Sequence, residues 1–291
     1  MPRLLRNRND HRTLLWSLGF FPSLPIVGFF YPRVAVWSLP LTLYLAFCAG
    51  VLTHYHNHRS VFHSRGLNQL YSVWLSIFYG FPVFSWIPTH NLNHHRYQNG
   101  PGDSTSTDKL RGRDNFLRLI CYPTLSSRWQ APELKRYLLS LRSRRSPLYG
   151  WALAQCMVVP FAHITLLAVY VGAHGVTQGL LVYAAVMLIP ALFAPWSMMV
   201  INYLQHIECD PSSPDNHSRN FVGRVQNWLV FDAGLHTVHH EYPGVHFSEY
   251  RALHDQRQHK IAPHLKQRNI IAFVIERYFL TQRTTEHPQL S

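Results

Sequence analysis

The sequence is short of acid. Its 291 residues carry 14 Asp and Glu against 27 Lys and Arg, a formal net charge of +13. Such an excess suits an anionic membrane surface, a nucleic acid or an acidic protein partner. Cysteine is scarce too. Cys48, Cys121, Cys156 and Cys209 are the only four, and none stand in CxxC spacing. That excludes a zinc ribbon and gives no disulfide framework, so a reducing compartment is expected. Internal repeats and low-complexity segments are missing as well. The basic start MPRLLRNRNDHR precedes an apolar run, but that run contains Pro22 and Pro25 and leads straight into another. A membrane hairpin fits this better than a cleaved signal peptide.

Lys, Arg, Asp and Glu are absent from four long stretches: residues 13–31, 34–53, 148–171 and 180–201. Crossing a bilayer takes about 20 mostly apolar residues. Short linkers join the stretches in pairs. The expected fold is therefore all-α: an integral membrane protein with four transmembrane helices in two hairpins. Residues 54–147 and 202–291 would form a cap, making 1–291 a single domain. A fifth stretch, 68–88, holds Gly80, Pro82, Ser85 and many aromatics, which fits an interfacial helix. In this topology 26 of the 27 Lys and Arg lie on the cap side, leaving only Arg33 opposite. The asymmetry places the cap in the cytoplasm. The mean hydropathy of -0.08 leaves a soluble helical protein as the alternative, but uncharged runs of this length argue against it.

Histidine is the residue in excess, with 20 copies. They cluster where apolar segments end: HYHNH at 54–58, HNLNHH at 90–95 and HTVHH at 236–240. The last apolar run leads into NYLQH, which puts Asn202 and His206 four apart. Residues i, i+3 and i+4 share a helix face. His54 and His58, His90 and His94 with adjacent His95, and His236, His239 and His240 are thus the candidate metal ligands, together with His206. His56 would sit about 200° round the helix from His54 and point away. Nine imidazoles are too many for one tetrahedral zinc. They suffice for two metals with four or five nitrogens each, and imidazole suits Fe, Cu, Ni and Zn alike.

These four motifs together resemble the histidine boxes of the membrane fatty-acid desaturase and hydroxylase superfamily, over residues 34 to 250. The resemblance implies a non-haem centre of two Fe ions held by the nine histidines, with O2 as co-substrate and an acyl or alkyl substrate. It also implies that Asn202 occupies a position that holds a metal-bound water in some members. The spacing of the second box resembles alkane hydroxylases. The third box, with its following acid and proline, is more similar to acyl-lipid desaturases. Desaturation of a fatty acyl chain, giving a double or triple bond, is the expected reaction. Alkyl hydroxylation and decarboxylating alkene formation stay open.

Metal-bound histidines usually donate their other ring N–H to an acceptor. Asp103, Glu208, Asp232 and Glu241 are the nearby candidates, and His63 and His246 are possible outer groups. His11, His217, His254, His259, His264 and His287 are expected to be solvated, and His163 and His174 to pack neutrally. Trp86, Phe193, Trp196, Tyr203 and Trp228 are candidate substrate walls. The chain has no HPGG haem motif and no CxxC pair, so a separate ferredoxin-, rubredoxin- or cytochrome b5-like donor is expected. The substrate would arrive as an acyl lipid, acyl-CoA or acyl carrier protein, among membrane lipids. A rival class is a membrane metal transporter or metal-binding protein. Transport sites use ligands near the midplane, whereas these histidines lie at one membrane edge. No nucleic-acid partner is expected, because the positive charge follows topology and matches no binding motif.

Overall fold

Long uncharged stretches, punctuated by Pro and Gly, fold into helices whose ends carry the polar motifs. The computed structural model describes residues 4–110 and 112–280. Helix α1 (Asp10–Phe30) is followed by the short α2 (Pro32–Trp37) and by α3 (Leu39–His58). Next come α4 (Arg65–Tyr79), α5 (Val83–Tyr97) and α6 (Phe116–Ser143). Then α7 (Pro147–His174) and α8 (Val176–His206) form a hairpin. Four short helices complete the cap: α9 (Arg224–Leu229), α10 (His236–Glu241), α11 (Tyr250–Arg257) and α12 (Ile270–Ile275). A two-residue parallel pair, Asn220–Phe221 with Lys266–Gln267, ties the cap's end to its middle.

Three helices, α1, α7 and α8, are long and apolar enough to cross a membrane, or four spans if the bent pair α4–α5 counts as one. The expected span 34–53 differs from what is seen. The chain breaks between α2 and α3 at Ser38, just before Pro40, and α3 then runs on into HYHNH. Its polar last turn dilutes its hydropathy. Residues 68–88 are not one interfacial helix either, because α4 and α5 meet at a bend of 99°.

Local chemistry explains that bend. Gly80 ends α4 in the left-handed region at φ 73°, its N–H donating to the Ser76 carbonyl at 3.0 Å. This is the glycine C-cap that a side chain would strain. A Cβ on Gly80 would also collide with Ala191 of α8. Beyond the bend, the Phe84 N–H donates to Oε1 of Gln155 on α7 at 2.9 Å, and Ser76 Oγ donates to the same oxygen at 3.3 Å. Backbone polarity released by the turn is thus paired within the protein, as an apolar surrounding demands.

One apolar core runs from the helices into the cap. Leu45, Val51 and Leu52 of α3 join Leu75 of α4 and Met198 of α8, then Phe231, Leu235, Val238 and Tyr250. Outward, α7 exposes Met157, Phe161 and Ile164, a surface suited to lipid. His163 packs within α7 with Nδ1 3.0 Å from the Tyr183 hydroxyl, and His174 lies against Phe29. Both are packing roles, as expected. His287 lies outside the described residues.

Gly80→Ala is expected to destabilise the detergent-solubilised protein by more than about 1 kcal/mol, since alanine is strained at positive φ. Gly150→Ala in α7, where a Cβ meets open space, should be neutral or stabilising. Paired thermal midpoints check this, and equal midpoints would remove the role given to the bend.

Candidate metal centre

Each histidine motif is aimed by its own element. The last turn of α3 points His54 and His58 into the cap. Within α5, residues Ile87–His94 are wound as a π-helix. In π geometry the backbone bond closes from i to i+5, so residues five apart come into line. His90 and His95 therefore reach the same space, their rings edge-on at 4.6 Å, while His94, whose ring stacks on His90 at 5.1 Å, turns its nitrogen to the other group. On α10, His236 and His240 share a face and His239 leaves it. The sequence reading put each motif on a single face. The structure instead splits both adjacent pairs, His94–His95 and His239–His240, between two groups.

The groups are His54, His58, His90, His95 and His239, and His94, His206, His236 and His240, with one ligand atom from each within 4.8 Å of the others in its group. In the first, Nε2 of His54 lies 2.8 Å from His90 and 3.0 Å from His239, and Nε2 of His95 lies 3.1 and 3.0 Å from the same two. In the second, His236 Nε2 lies 2.9 Å from His206 and 3.0 Å from His240. The buried Nε2 atoms of His58 and His94 have no hydrogen-bond partner.

This crowding fits metal ions. A neutral imidazole has only one N–H to offer, and so many facing nitrogens cannot satisfy one another. Two nitrogens about 2.1 Å from a metal and at right angles lie about 3.0 Å apart, against about 3.4 Å at the tetrahedral angle. The closest contacts match the smaller value, which suits more than four positions around each ion. Burial pushes His236, His239 and His240 well below the usual histidine range, and neighbouring histidines add to the effect. The rings are therefore held neutral, the form that ligates.

Outer partners fix the rings. His94 Nδ1 is 2.7 Å from Asp103 Oδ2, His206 Nδ1 donates to the His217 carbonyl at 3.1 Å, and His239 Nδ1 is 3.2 Å from the Tyr250 hydroxyl. Each contact leaves Nε2 free for the cluster. Asp103 is itself caged by the Asn99 N–H at 2.7 Å and by the Thr105 N–H and hydroxyl, each at 2.7 Å. Burial alone would raise its carboxyl, but His94 and these donors outweigh burial and hold it below the usual range. The cage closes because Gln98 and Asn99 adopt positive φ, 45° and 70°, and double the chain back after α5.

A cavity of about 500 Å³ reaches both groups, touching His54, His90 and His239 of one and His236 of the other. Trp86 stacks on His54 with centroids 5.1 Å apart and forms one wall, and Trp196, Met198 and Asn202 line the opposite side. Among the described residues, no Lys, Arg, Asp or Glu lines it. Such a volume lies in the range of small-molecule sites.

A family model described as fatty acid desaturase matches residues 15–271. The chain belongs to the fatty acid desaturase family. It is accordingly an oxidoreductase of that type. No curated protein and no solved structure gave a significant match.

Within this family member the other expected groups divide. Asp103 contacts a cluster histidine. Asn202 lines the cavity, and its Nδ2 donates to the Tyr122 hydroxyl at 2.9 Å. The remaining acids are claimed by arginines: Asp232 faces Arg251 at 3.6 Å, Glu241 pairs with Arg257, and Glu208 pairs with Arg277 at 2.6 Å. His63 is exposed, and His246 lies 3.3 Å from Asp10, far from the clusters in its contacts. His11, His259 and His264 are exposed as expected, but His217 and His254 are buried. His217 packs edge-on against His240 at 5.4 Å, and His254 shares the inward face of α11 with Tyr250. Among the walls, Phe193 backs Trp196 at 5.9 Å, while Tyr203 turns its hydroxyl to Asp114 and Trp228 is exposed beside Arg12. Thr105 and Tyr250 were not foreseen. The clue to Thr105 is that the polar run Asp103–Thr107 is wholly buried.

His56 is buried outside both groups, with Nε2 3.2 Å from the Asn68 carbonyl. His56→Ala should retain metal, whereas His54→Ala and His58→Ala lose it, by elemental analysis of equal amounts of folded protein. Asp103→Asn should weaken metal affinity by about 10–100-fold. Equal metal loss in His56→Ala would refute the assignment of the first motif.

Proposed function

We propose that the protein binds two iron ions, one in each histidine group, and uses O2 to remove two hydrogens from an unactivated position of a fatty acyl chain. The reading rests on one observation: a single uncharged cavity touches both histidine groups in a member of the desaturase family. Iron supplies the oxidising chemistry when bound. The chain's own residues do the rest. The nine imidazoles provide ligands without adding negative charge. Asp103, the His217 carbonyl and Tyr250 hold three rings in the tautomer that turns Nε2 inward. Trp86, Val51, Met198 and Trp196 supply apolar walls that place a methylene chain beside the clusters and exclude bulk water. Asn202 and Gln205 are among the uncharged polar groups facing the same space.

The lack of charge in the lining keeps the carboxyl end, whether esterified to lipid, CoA or a carrier protein, outside the cavity. On α6, exposed Arg128 and Lys135 stand beside the lining residues Ser127 and Leu134. They suit an anionic headgroup or an acidic electron donor. The basic bias of the cap supports a cytoplasmic site. The spacing of the second motif favours hydroxylation as the second reading.

Lipids from a host expressing the wild type should contain a new alkene or alkyne, absent with His239→Ala. A hydroxylated first product would select the second reading. Purified protein should contain about two irons per chain, following the two clusters; stoichiometric zinc in active protein would exclude this assignment. Exposed Cys121 on α6 should resist an impermeant thiol reagent added outside intact cells. Its efficient labelling would invert the topology.

A further inference from the structure

A second cavity, about 710 Å³, lies on the other side of α5 and shares no lining residue with the first. Two elements serve as a common wall. From HYHNH, His54 faces the metal-side cavity, while His56 and Asn57 face the second. From α5, Trp86 lines one, and Phe84 and Ile87 line the other. The second cavity sits where α4 and α7 begin, with Arg65 and Gly66 from one first turn and Pro147 and Leu148 from the other.

Its polar lining is unbalanced. Arg6 and Arg65 contribute positive charge, and among the described residues no Asp or Glu lines it. The beginnings of two helices of 15 and 28 residues add the positive ends of their dipoles. Gln155 is the deepest polar group. It is 1% exposed and stands eight residues, about 12 Å, along α7. Because its oxygen accepts from the Phe84 N–H, its amide nitrogen must face the cavity. That nitrogen has no acceptor among the described residues. The bend uses the oxygen of Gln155, and nothing in the fold uses the nitrogen. An amide donor that opens onto the cavity, in a helix long and apolar enough to cross a membrane, offers itself to an acceptor there.

The remaining lining is apolar. Phe84, Ile87, Leu148 and Trp151 form one side, and Leu148 and Leu153 continue outward onto the lipid-facing surface of α7. A free phosphate ion has no use for such walls, whereas an amphiphile does. We propose that this cavity binds an anionic membrane phospholipid, with its phosphate among Arg6, Arg65 and the Gln155 amide and its glycerol and first methylenes against Phe84, Ile87 and Trp151. The site is separate from the one that takes substrate.

The test uses purified full-length protein in detergent, titrated with phosphatidylglycerol, phosphatidylcholine or inorganic phosphate. Thermal midpoint and bound lipid by mass spectrometry are the readouts. Phosphatidylglycerol should raise the midpoint and bind at least tenfold more tightly than phosphatidylcholine, and inorganic phosphate should have no effect. Gln155→Glu keeps an oxygen for Phe84 and replaces the donor with a repelling one. It should lower phosphatidylglycerol affinity at least tenfold with unchanged helical content. Arg65→Ala alters an exposed side chain, and should lower the affinity severalfold even if Gln155→Glu does not fold. Wild-type affinity in Arg65→Ala or in folded Gln155→Glu would overturn the proposal. So would a response to inorganic phosphate equal to that for the lipid.

Discussion

Nine imidazoles share one buried space, and their lone pairs cannot satisfy one another. A neutral ring carries one N–H, and Nδ1 of His94, His206 and His239 faces outward, to Asp103, the His217 carbonyl and Tyr250. The nitrogens that remain face each other at about hydrogen-bond distance with too few protons between them. An unsatisfied buried polar atom costs about 1–3 kcal/mol. Such a cluster persists only where something else supplies positive charge or where the surrounding fold holds it in place. Both conditions shape this protein. The core continues from α3 through Phe231 and Val238 into the cap, so the ligand-bearing turns are gripped by apolar packing on their outer sides.

The two groups are close because two histidine pairs straddle them. His94 and His95 are neighbours in sequence, yet their rings are 6.1 Å apart and belong to different groups. His239 and His240 do the same, with centroids at 5.6 Å. Doubling a histidine is the shortest way for one helix to serve two centres. The π-turn in α5 makes it work there, by bringing His95 as well as His94 beside His90, with centroids at 4.6 and 5.1 Å. A regular α-helix would favour His90 and His94 on one face and alter the count at each centre.

Much of this was legible in the sequence, and the misses have physical causes. The histidine motifs were found because ligand chemistry restricts residue type and spacing so severely. His56 lies outside both groups, buried against the Asn68 carbonyl, because the long apolar run carries its helix on through the motif. The partition between groups was not legible, since a π-turn leaves no mark in the order of residues. All four acids stand near a motif in sequence, but Asp103 meets His94, whereas Asp232, Glu241 and Glu208 meet arginines elsewhere in the cap. Sequence distance says nothing about which partner a folded acid meets. His217 and His254 look solvated because their neighbours are polar, yet the cap buries a polar run wholesale when most of its hydrogen bonds close internally, as in Asp103–Thr107. The apolar stretches gave the helices at once. The span before HYHNH was less secure, because the helix that carries the ligands must give up hydropathy to do so.

The absence of charge in the metal-side cavity is as informative as the histidines. A carboxylate or ammonium among the lining residues would either be stranded in a low-dielectric space or compete for the metal positions. Excluding both leaves shape, apolar contact and uncharged polar groups such as Asn202 and Gln205 to hold a substrate there. Recognition of any charged headgroup must then occur at the rim, where exposed basic residues stand. The same α3 turn and the same stretch of α5 also form the wall of the second, electropositive cavity. A wall two sides thick at these points cannot move on one face without moving on the other. His54 and His56 are two residues apart on a rigid helical turn, and Trp86 and Ile87 are adjacent. Whatever fills the second cavity therefore supports the ligand geometry from behind, in the way that the Asp103 cage supports His94 from its own side.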